Sequence, residues 1–376
     1  MNARYVCAAL VGVVAMHGAV MAGFAVTSIA AIAVPPAGIA AQGGVVTQWI
    51  NRTPSGKDAL SPKNVEDAAM VCDPARDRIV LFGGKNDADR RVDDLWAFDL
   101  DKSMWQQITT EGSKPPSIPN LSAIYDPIGN RMIVYGDRDL WSLDLKTDRW
   151  RDLSSKEQPR RESHSAVYDS RGKRMVVFGG SDGGHLDLYD IWALDLDPTS
   201  PTFEKWQNLT VEKGHPDGRI QHTAIYDARK NRMLISGGYA KDSRRMFEDT
   251  WAYQFSDVRN QPGTWKRIDN GRLFPPARRQ AIGVYDAAQN WFILEGGESA
   301  QSTSREHLYM NDVWAFDLIA DTWLPLSSSD PAPAPKISQQ AAYDPDTQSV
   351  ILYGGIPEDE HAVPHDVWEL RIQPRE

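Results

Sequence analysis

Cysteine is almost missing from this sequence: 376 residues contain two, Cys7 and Cys72. Cys7 lies in an apolar N-terminal segment, so the remainder keeps a single thiol and can form no internal disulfide. The fold must stand on packing. An excess of positive charge is missing as well. Formal net charge is −10, which argues against a nucleic-acid partner, since that needs a basic footprint. No segment sustains an apolar i, i+3, i+4 pattern, so a helical architecture is excluded. Phosphate-binding loops, a Ser/His/Asp signature and zinc spacings are also absent.

Charge is nearly absent from the N-terminus. Setting aside His17, Arg4 is the only charged residue before Arg52. Between them runs Tyr5–Val34, rich in Ala, Val and Met, and ended by Pro35-Pro36. A positive start, an apolar run and a small-residue exit read as a secretory signal. The run is also long enough for an uncleaved membrane anchor. Either reading predicts an extracytoplasmic location, periplasmic or secreted, with residues 1–41 as leader and 42–376 as the folded domain. A membrane is a partner only if the leader stays.

What is abundant is internal repetition. Tyr168–Leu196 shows the unit: a turn at Tyr168-Asp169-Ser170-Arg171-Gly172, an apolar run Met175-Val176-Val177-Phe178, the pair Gly179-Gly180, a polar loop, then Asp190-Ile191-Trp192. Aligned on the Tyr-Asp position there are six copies, at Cys72, Tyr125, Tyr168, Tyr226, Tyr285 and Tyr343. Each copy reads as four short strands between turn signals. Asp-Pro suits the first places of a type I turn, and the double glycine permits positive φ. A period near fifty residues with four strands per copy predicts a β-propeller.

The tryptophans predict how the ring closes. Trp96, Trp141, Trp192, Trp251, Trp314 and Trp368 occupy D-x-W in the third strand; Trp105, Trp150, Trp206, Trp265 and Trp323 open the fourth. The sixth copy lacks a fourth strand, but Val45–Ile50 has the look of one and Trp49 supplies the missing ring. An N-terminal strand completing blade 6 would leave no open edge. Trp291 stands where the first four copies carry Arg.

The double glycine, D-x-W and spaced aromatics together resemble the kelch repeat, over roughly residues 45–376. The resemblance implies an all-β fold: a six-bladed kelch-type β-propeller with four antiparallel strands per blade. The second copy departs from the pattern, with a lone Gly136 and a two-residue loop, Asp137-Arg138.

Function is expected on the face carrying the long, irregular connections, those between strands 2 and 3 and between blades. The blade 5 loop is longest, Glu298–Asn311. Seven residues before the Tyr position stand Arg161, Arg219, Arg278 and Lys336; blades 1 and 2 have Val65 and Ile118. His164, His222, Gln221, Arg279, Gln280 and Gln339 are close by. These basic and amide groups would suit an anionic ligand through charge-assisted hydrogen bonds; alternatively the arginines fix loops by bonding carbonyls or the repeat's own Asp residues. Glu295 replaces the aromatic that precedes the double glycine in most copies. Burial there could raise its pKa and make it an acid or base, or it could bridge to Arg278 or Arg279.

Arg78, Arg131, Arg174 and Arg232, opening strand 2, read as repeat-internal ion pairs, and the Asp of D-x-W as a structural acceptor of turn or loop backbone. Glu358–Glu360 with His361 and His365 has metal-binding residue types, but Pro364 rules out a helix presenting both histidines, so no metal or cofactor is expected. Asn51, Asn120 and Asn208 open glycosylation sequons. The primary expectation is a monomeric binding module for a protein, peptide or glycan. The alternative rests on architectural similarity to extracytoplasmic sialic acid mutarotases, which implies a carboxylate held by Arg219, Arg278 or Arg279 and a proton moved by Glu295. Galactose oxidase is a third relative in architecture, but Cys72 lies at the wrong end of strand 1 for its Tyr–Cys crosslink.

Overall fold

The computed structural model describes residues 45–374 apart from short stretches at 57–58, 87, 89, 119, 185, 270–272, 303–306, 329 and 359–364. The leader expected at 1–41, and most of the acidic and histidine stretch around His361, lie outside the described residues. Among the described residues no helix is long and apolar enough to cross a membrane.

The strands form six four-stranded antiparallel blades. Blade 1 consists of Ala69–Asp73, Arg78–Phe82, Leu95–Asp99 and Met104–Ile108. Blade 3 repeats it with Ser165–Asp169, Arg174–Phe178, Ile191–Asp195 and Trp206–Asn208. Blade 6 is assembled from both chain ends: Gln340–Asp344, Ser349–Tyr353 and Val367–Pro374, with Val45–Asn51 as outermost strand. Trp49 pairs with Leu370 and Thr47 with Ile372, so the N-terminal strand closes the ring as the tryptophan pattern predicts. Trp49 meets Trp368 edge-on at 6.4 Å.

Strand alternation gives each blade two apolar faces. The core is therefore divided into six clusters, each lying between neighbouring blades. Val71, Phe82 and Leu95 of blade 1 pack on Met132, Val134 and Trp150 of blade 2. Ile79, Phe98 and Trp105 of blade 1 pack on Ile351 and Tyr353 of blade 6. The remaining four junctions repeat the arrangement.

The expected strand-2 arginine pairs form. Arg78, Arg131, Arg174 and Arg232 reach Asp73, Asp126, Asp169 and Asp227 at 2.7–2.9 Å. Each aspartate lies at the far end of strand 1, opposite its arginine in the ladder.

Blade 5 differs from expectation. Glu298, Ser299 and Tyr309–Asn311 are strand rather than loop: the second and third strands run on as Trp291–Ser299 and Tyr309–Asp317, through a bulge at Glu295–Gly297. Arg278–Arg279 adds to the extension by pairing with Glu298–Ser299. The alternating Tyr309-Met310-Asn311 permits this continuation, and Gly296 and Gly297 absorb the bulge at positive φ.

Candidate binding site at the channel mouth

The first strand of every blade lines the central channel, so the residues just before it form the channel mouth. Five residues before each Tyr position the chain turns left-handed: Asp67, Asn120, Ser163, Gln221, Gln280 and Ser338 all have φ between 42° and 55°. This kink swings the incoming segment into the inner strand. It also places one polar residue from each blade around the opening. Their backbones are joined sideways: Ser163 N–H donates to the Asn120 carbonyl at 3.1 Å, Gln221 N–H to Ser163 at 3.0 Å and Gln280 N–H to Gln221 at 3.0 Å.

The double glycine makes room for this. Gly180 has φ 91°, and a Cβ on it would stand 2.6 Å from the Glu162 carbonyl oxygen and 2.8 Å from the His164 Cβ. The end of strand 2 thus passes directly against the mouth segment, which only glycine permits.

The opening is a cavity of about 160 Å³ lined by the left-handed ring together with His164, His222 and Gln339. Amides and hydroxyls dominate it. Gln280 Nε2 donates to Ser338 Oγ at 2.6 Å, while the buried Gln221 Oε1 has no donor. His164 Nε2 lies 2.7 Å from Ser122 Oγ of blade 2, and His222 Nε2 lies 2.7 Å from Ser165 Oγ of blade 3. Each histidine therefore ties its blade to the preceding one. Burial, reinforced by Arg161, holds His164 well below the usual imidazole range; burial and Arg219 push His222 down to about 3. Both rings are neutral at physiological pH, and both Nδ1 atoms are buried without a partner among the described residues.

The arginines expected to meet a ligand are turned into the blades. Arg161 is fully buried, donating to the Gly179 carbonyl at 3.0 Å and to Asp190 at 2.9 Å. Arg219 donates to Gly237 O at 3.0 Å, grips Asp249 at 2.6 and 3.2 Å, and lies 3.9 Å over the Phe247 ring. Arg278 does the same with Gly296 O and, at 2.7 and 2.8 Å, Asp312. Lys336 reaches Asp366 at 2.5 Å. In each of these blades the same carboxylate accepts the D-x-W indole N–H, at 2.6–2.8 Å. The ligand-contact expectation for Arg161, Arg219 and Arg278 is therefore corrected. They are clips joining the start of each blade to its third strand. The D-x-W aspartates serve side chains rather than loop backbone. Burial alone would raise Asp249 and Asp312, but Arg219 and Arg278 outweigh it and hold both carboxyls below their usual range.

Glu295 does not line the mouth either. It is 3% exposed and accepts a hydrogen bond from Gln339 Nε2 of blade 6 at 3.1 Å. Gln339 lines the mouth; Glu295 lies behind it. Neither Arg278 nor Arg279 bridges to it, because Arg278 holds Asp312 and Arg279 holds Glu298. Burial and the nearby Asp312 push the Glu295 carboxyl up to about 8, against Lys336 and Arg278. Such a group could exchange a proton, but it does not line the mouth cavity.

Arg279 remains partly exposed on the rim. It pairs with Glu298 at 2.6 Å and lies 5.0 Å from the Tyr239 ring of blade 4. The rim is interlocked further: Lys241 Nζ donates to Ser181 Oγ at 3.0 Å, and Tyr309 N–H to Glu358 Oε1 at 2.9 Å. Of the expected site, then, His164, His222 and Gln280 line the mouth, Arg279 borders it, and Arg161, Arg219, Arg278 and Glu295 do not face it. Sequence reasoning passed over Asp67, Asn120, Ser163 and Ser338. Their signal was the constant offset of five from the Tyr position, hidden because the side chains differ.

Comparison with known proteins agrees with this architecture. A profile of the KLHDC2/KLHL20/DRC7 kelch-repeats domain matches residues 136–355, over half of the chain. Kelch domain-containing protein 3 of Bos taurus is 28% identical over 308 residues, covering 78% of this chain and 73% of the relative. Kelch domain-containing protein 10 of Xenopus tropicalis is 24% identical, over 64% of this chain and 57% of its own. The solved structure of YjhT superposes with a TM-score of 0.61 at 11% identity, covering 83% of this chain and 98% of that one. That likeness concerns the fold alone.

Proposed function

Because this chain belongs to the kelch-repeat family, we propose that it is a non-enzymatic binding module that holds a polypeptide across the channel mouth on the long-loop face. The carrying observation is the left-handed ring. It offers amide and hydroxyl groups from five blades and the Asp67 carboxylate from the remaining one, beside two neutral histidines. Donors and acceptors of this mainly uncharged kind, in a half-enclosed site, match peptide groups, which need both kinds of partner. With Arg161, Arg219 and Arg278 engaged as clips to Asp190, Asp249 and Asp312, an anionic ligand is less favoured.

We further propose an extracytoplasmic setting, on the strength of the apolar N-terminal segment. The sugar-acid reading is less favoured, because Glu295 is buried and bonded to Gln339 rather than lining the mouth.

The test is selection of binders from a random peptide library displayed on phage, followed by affinity measurement against Gln221→Ala/Gln280→Ala. Selected peptides should lose about tenfold or more in affinity, as expected for removing two mouth hydrogen bonds. Peptides that bind the double variant unchanged would sink the proposal. So would a thermal shift with N-acetylneuraminic acid that neutral glycans and peptides fail to produce.

A further inference from the structure

Donors and acceptors are not evenly balanced at the channel mouth. Its backbone donors are spent sideways, since the N–H groups of Ser163, Gln221 and Gln280 each bond the carbonyl of the preceding blade. Its glutamine nitrogens are spent inward around blades 5 and 6. Gln280 Nε2 donates to Ser338 Oγ at 2.6 Å, Gln340 Nε2 to the Ser338 carbonyl at 2.5 Å, and Gln339 Nε2 to Glu295 at 3.1 Å. Each bond engages the nitrogen end of a side chain that lines the mouth. The oxygen end, which only accepts, is what each amide has left to offer.

Two lining acceptors are conspicuously unspent. Gln221 Oε1 and Gln340 Oε1 are buried and receive no donor among the described residues. Gln340 cannot relieve this by turning its amide over, because its nitrogen holds the Ser338 carbonyl. A buried acceptor without a donor is costly, and folded proteins rarely keep one so. Both residues border the cavity, so a donor entering it is the partner within reach.

Charge points the same way. Asp67 of blade 1 brings the only carboxyl to the lining, and no lysine or arginine lines it. Lys85 stands 4.0 Å from Asp67 and 3.4 Å from Glu66, outside the lining, and divides its charge between them. His164 and His222 are neutral. The cations behind the mouth are matched one for one: Arg161 by Asp190, Arg219 by Asp249, Arg278 by Asp312 and Lys336 by Asp366. Blades 5, 6 and 1 are consecutive in the closed ring, so Gln280, Gln339, Gln340 and Asp67 share one arc of the opening. Asn120, Ser163 and Gln221 occupy the other.

We propose that the arc of blades 5, 6 and 1 receives a basic side chain of the bound polypeptide, an arginine guanidinium or a lysine ammonium. This rests on the mouth being a polypeptide site. Such a group carries three or more N–H donors and no acceptor, so it satisfies several carbonyl oxygens at once. Its hydrogen bonds are charge-assisted, and Asp67 adds Coulomb attraction. The cavity of about 160 Å³ has room for one side chain rather than for a drug-sized ligand. The mixed amides and hydroxyls of blades 2–4 remain for the peptide backbone.

Four pools of heptapeptides, acetylated and amidated at their ends, test this on the immobilised full chain at pH 7. The central residue is fixed as arginine, lysine, citrulline or glutamate, and the flanks are random. Retention read by mass spectrometry should favour the arginine and lysine pools over the citrulline pool by roughly tenfold, and over the glutamate pool by more. For the best arginine peptide, Asp67→Asn should weaken binding about threefold or more, and Gln280→Glu should strengthen it by a similar factor. Asparagine suits the left-handed backbone at Asp67, and the carboxylate in Gln280→Glu can accept from the Ser338 hydroxyl, so both variants should fold. Opposite shifts from two residues on one arc read charge, which a loss of structure does not imitate. Citrulline retained as well as arginine, a preference for glutamate, or unchanged affinity in either variant overturns the basic-side-chain pocket and leaves the polypeptide reading standing. Retention of no pool overturns both.

Discussion

Glu295 is a carboxyl that the fold keeps protonated. Its pKa is about 8 in the folded protein against an ordinary 4.5, through burial and then Asp312. An acid raised in this way takes up a proton on folding. Its contribution to stability is full below about 4.5, is lost as pH rises toward 8, and is level beyond. Glu295→Gln keeps the acceptor for Gln339 and removes the titration. The variant should gain on the native protein by roughly 5 °C or more in melting temperature between pH 5 and pH 8.5. Parallel melting curves across that range would refute the assignment. The arginine clips allow a second prediction. Arg219→Ala leaves Asp249 buried without its partner, at a cost of roughly 3–5 kcal/mol; Arg219→Lys should lose less, because blade 6 runs the same clip with Lys336. Denaturant midpoints decide it, and equal losses in the two variants would contradict the clip. The sequence allowed both readings of these arginines. Its spacing placed Arg219 and the Asp of D-x-W on one face of one blade, yet 30 residues of chain separate them. Whether they meet depends on the side-chain direction at the left-handed turn, which no spacing rule supplies.

At the scale of strands, the legible features were those the repeat enforces. Blade number, strand order and the closing strand all followed from residues that must recur because every blade solves one packing problem. The ends of the blade 5 connection read as loop because the strand extension depends on a bulge at Glu295–Gly297, where the glycines already had another explanation. The closing strand is the element most open to test. Val45–Asn51 covers the whole edge of Val367–Pro374 and buries Trp49 against Leu370 and Ile372. A chain beginning at Arg52 should lose its cooperative transition and aggregate, because an uncovered apolar strand edge is a template for other chains. A circular permutant carrying Val45–Asn51 after residue 374 on a short Gly/Ser linker should recover monomeric folding. Light scattering and circular dichroism distinguish these outcomes, and a truncated chain that stays monomeric and folded would show the ring does not depend on this strand.

Among the described residues the core lies in the six junctions between blades. In an open repeat array such junctions let one end fray while the rest persists. Here every blade has two neighbours, and losing any junction exposes apolar surface on both sides of a closed circle. The indoles of strand 4 show the coupling. Trp105 of blade 1 lies 4.8 Å from Tyr353 of blade 6 and 5.0 Å from Phe98 of its own blade. Trp323 of blade 5 lies 5.4 Å from Phe292 and donates to Thr250 of blade 4 at 3.1 Å. Trp105→Ala and Trp323→Ala, at two junctions separated by a third around the ring, should each destabilise by about 3–5 kcal/mol. Both should shift one common calorimetric transition rather than split it. Hydrogen exchange resolved by segment should then show protection falling in blades far from the altered residue. If Trp323→Ala loosened blades 4 and 5 while blades 1 and 2 kept native protection, the propeller would be a chain of independent junctions. Its mouth could then be distorted blade by blade; a cooperative ring instead ties the shape of the opening to the integrity of all six blades.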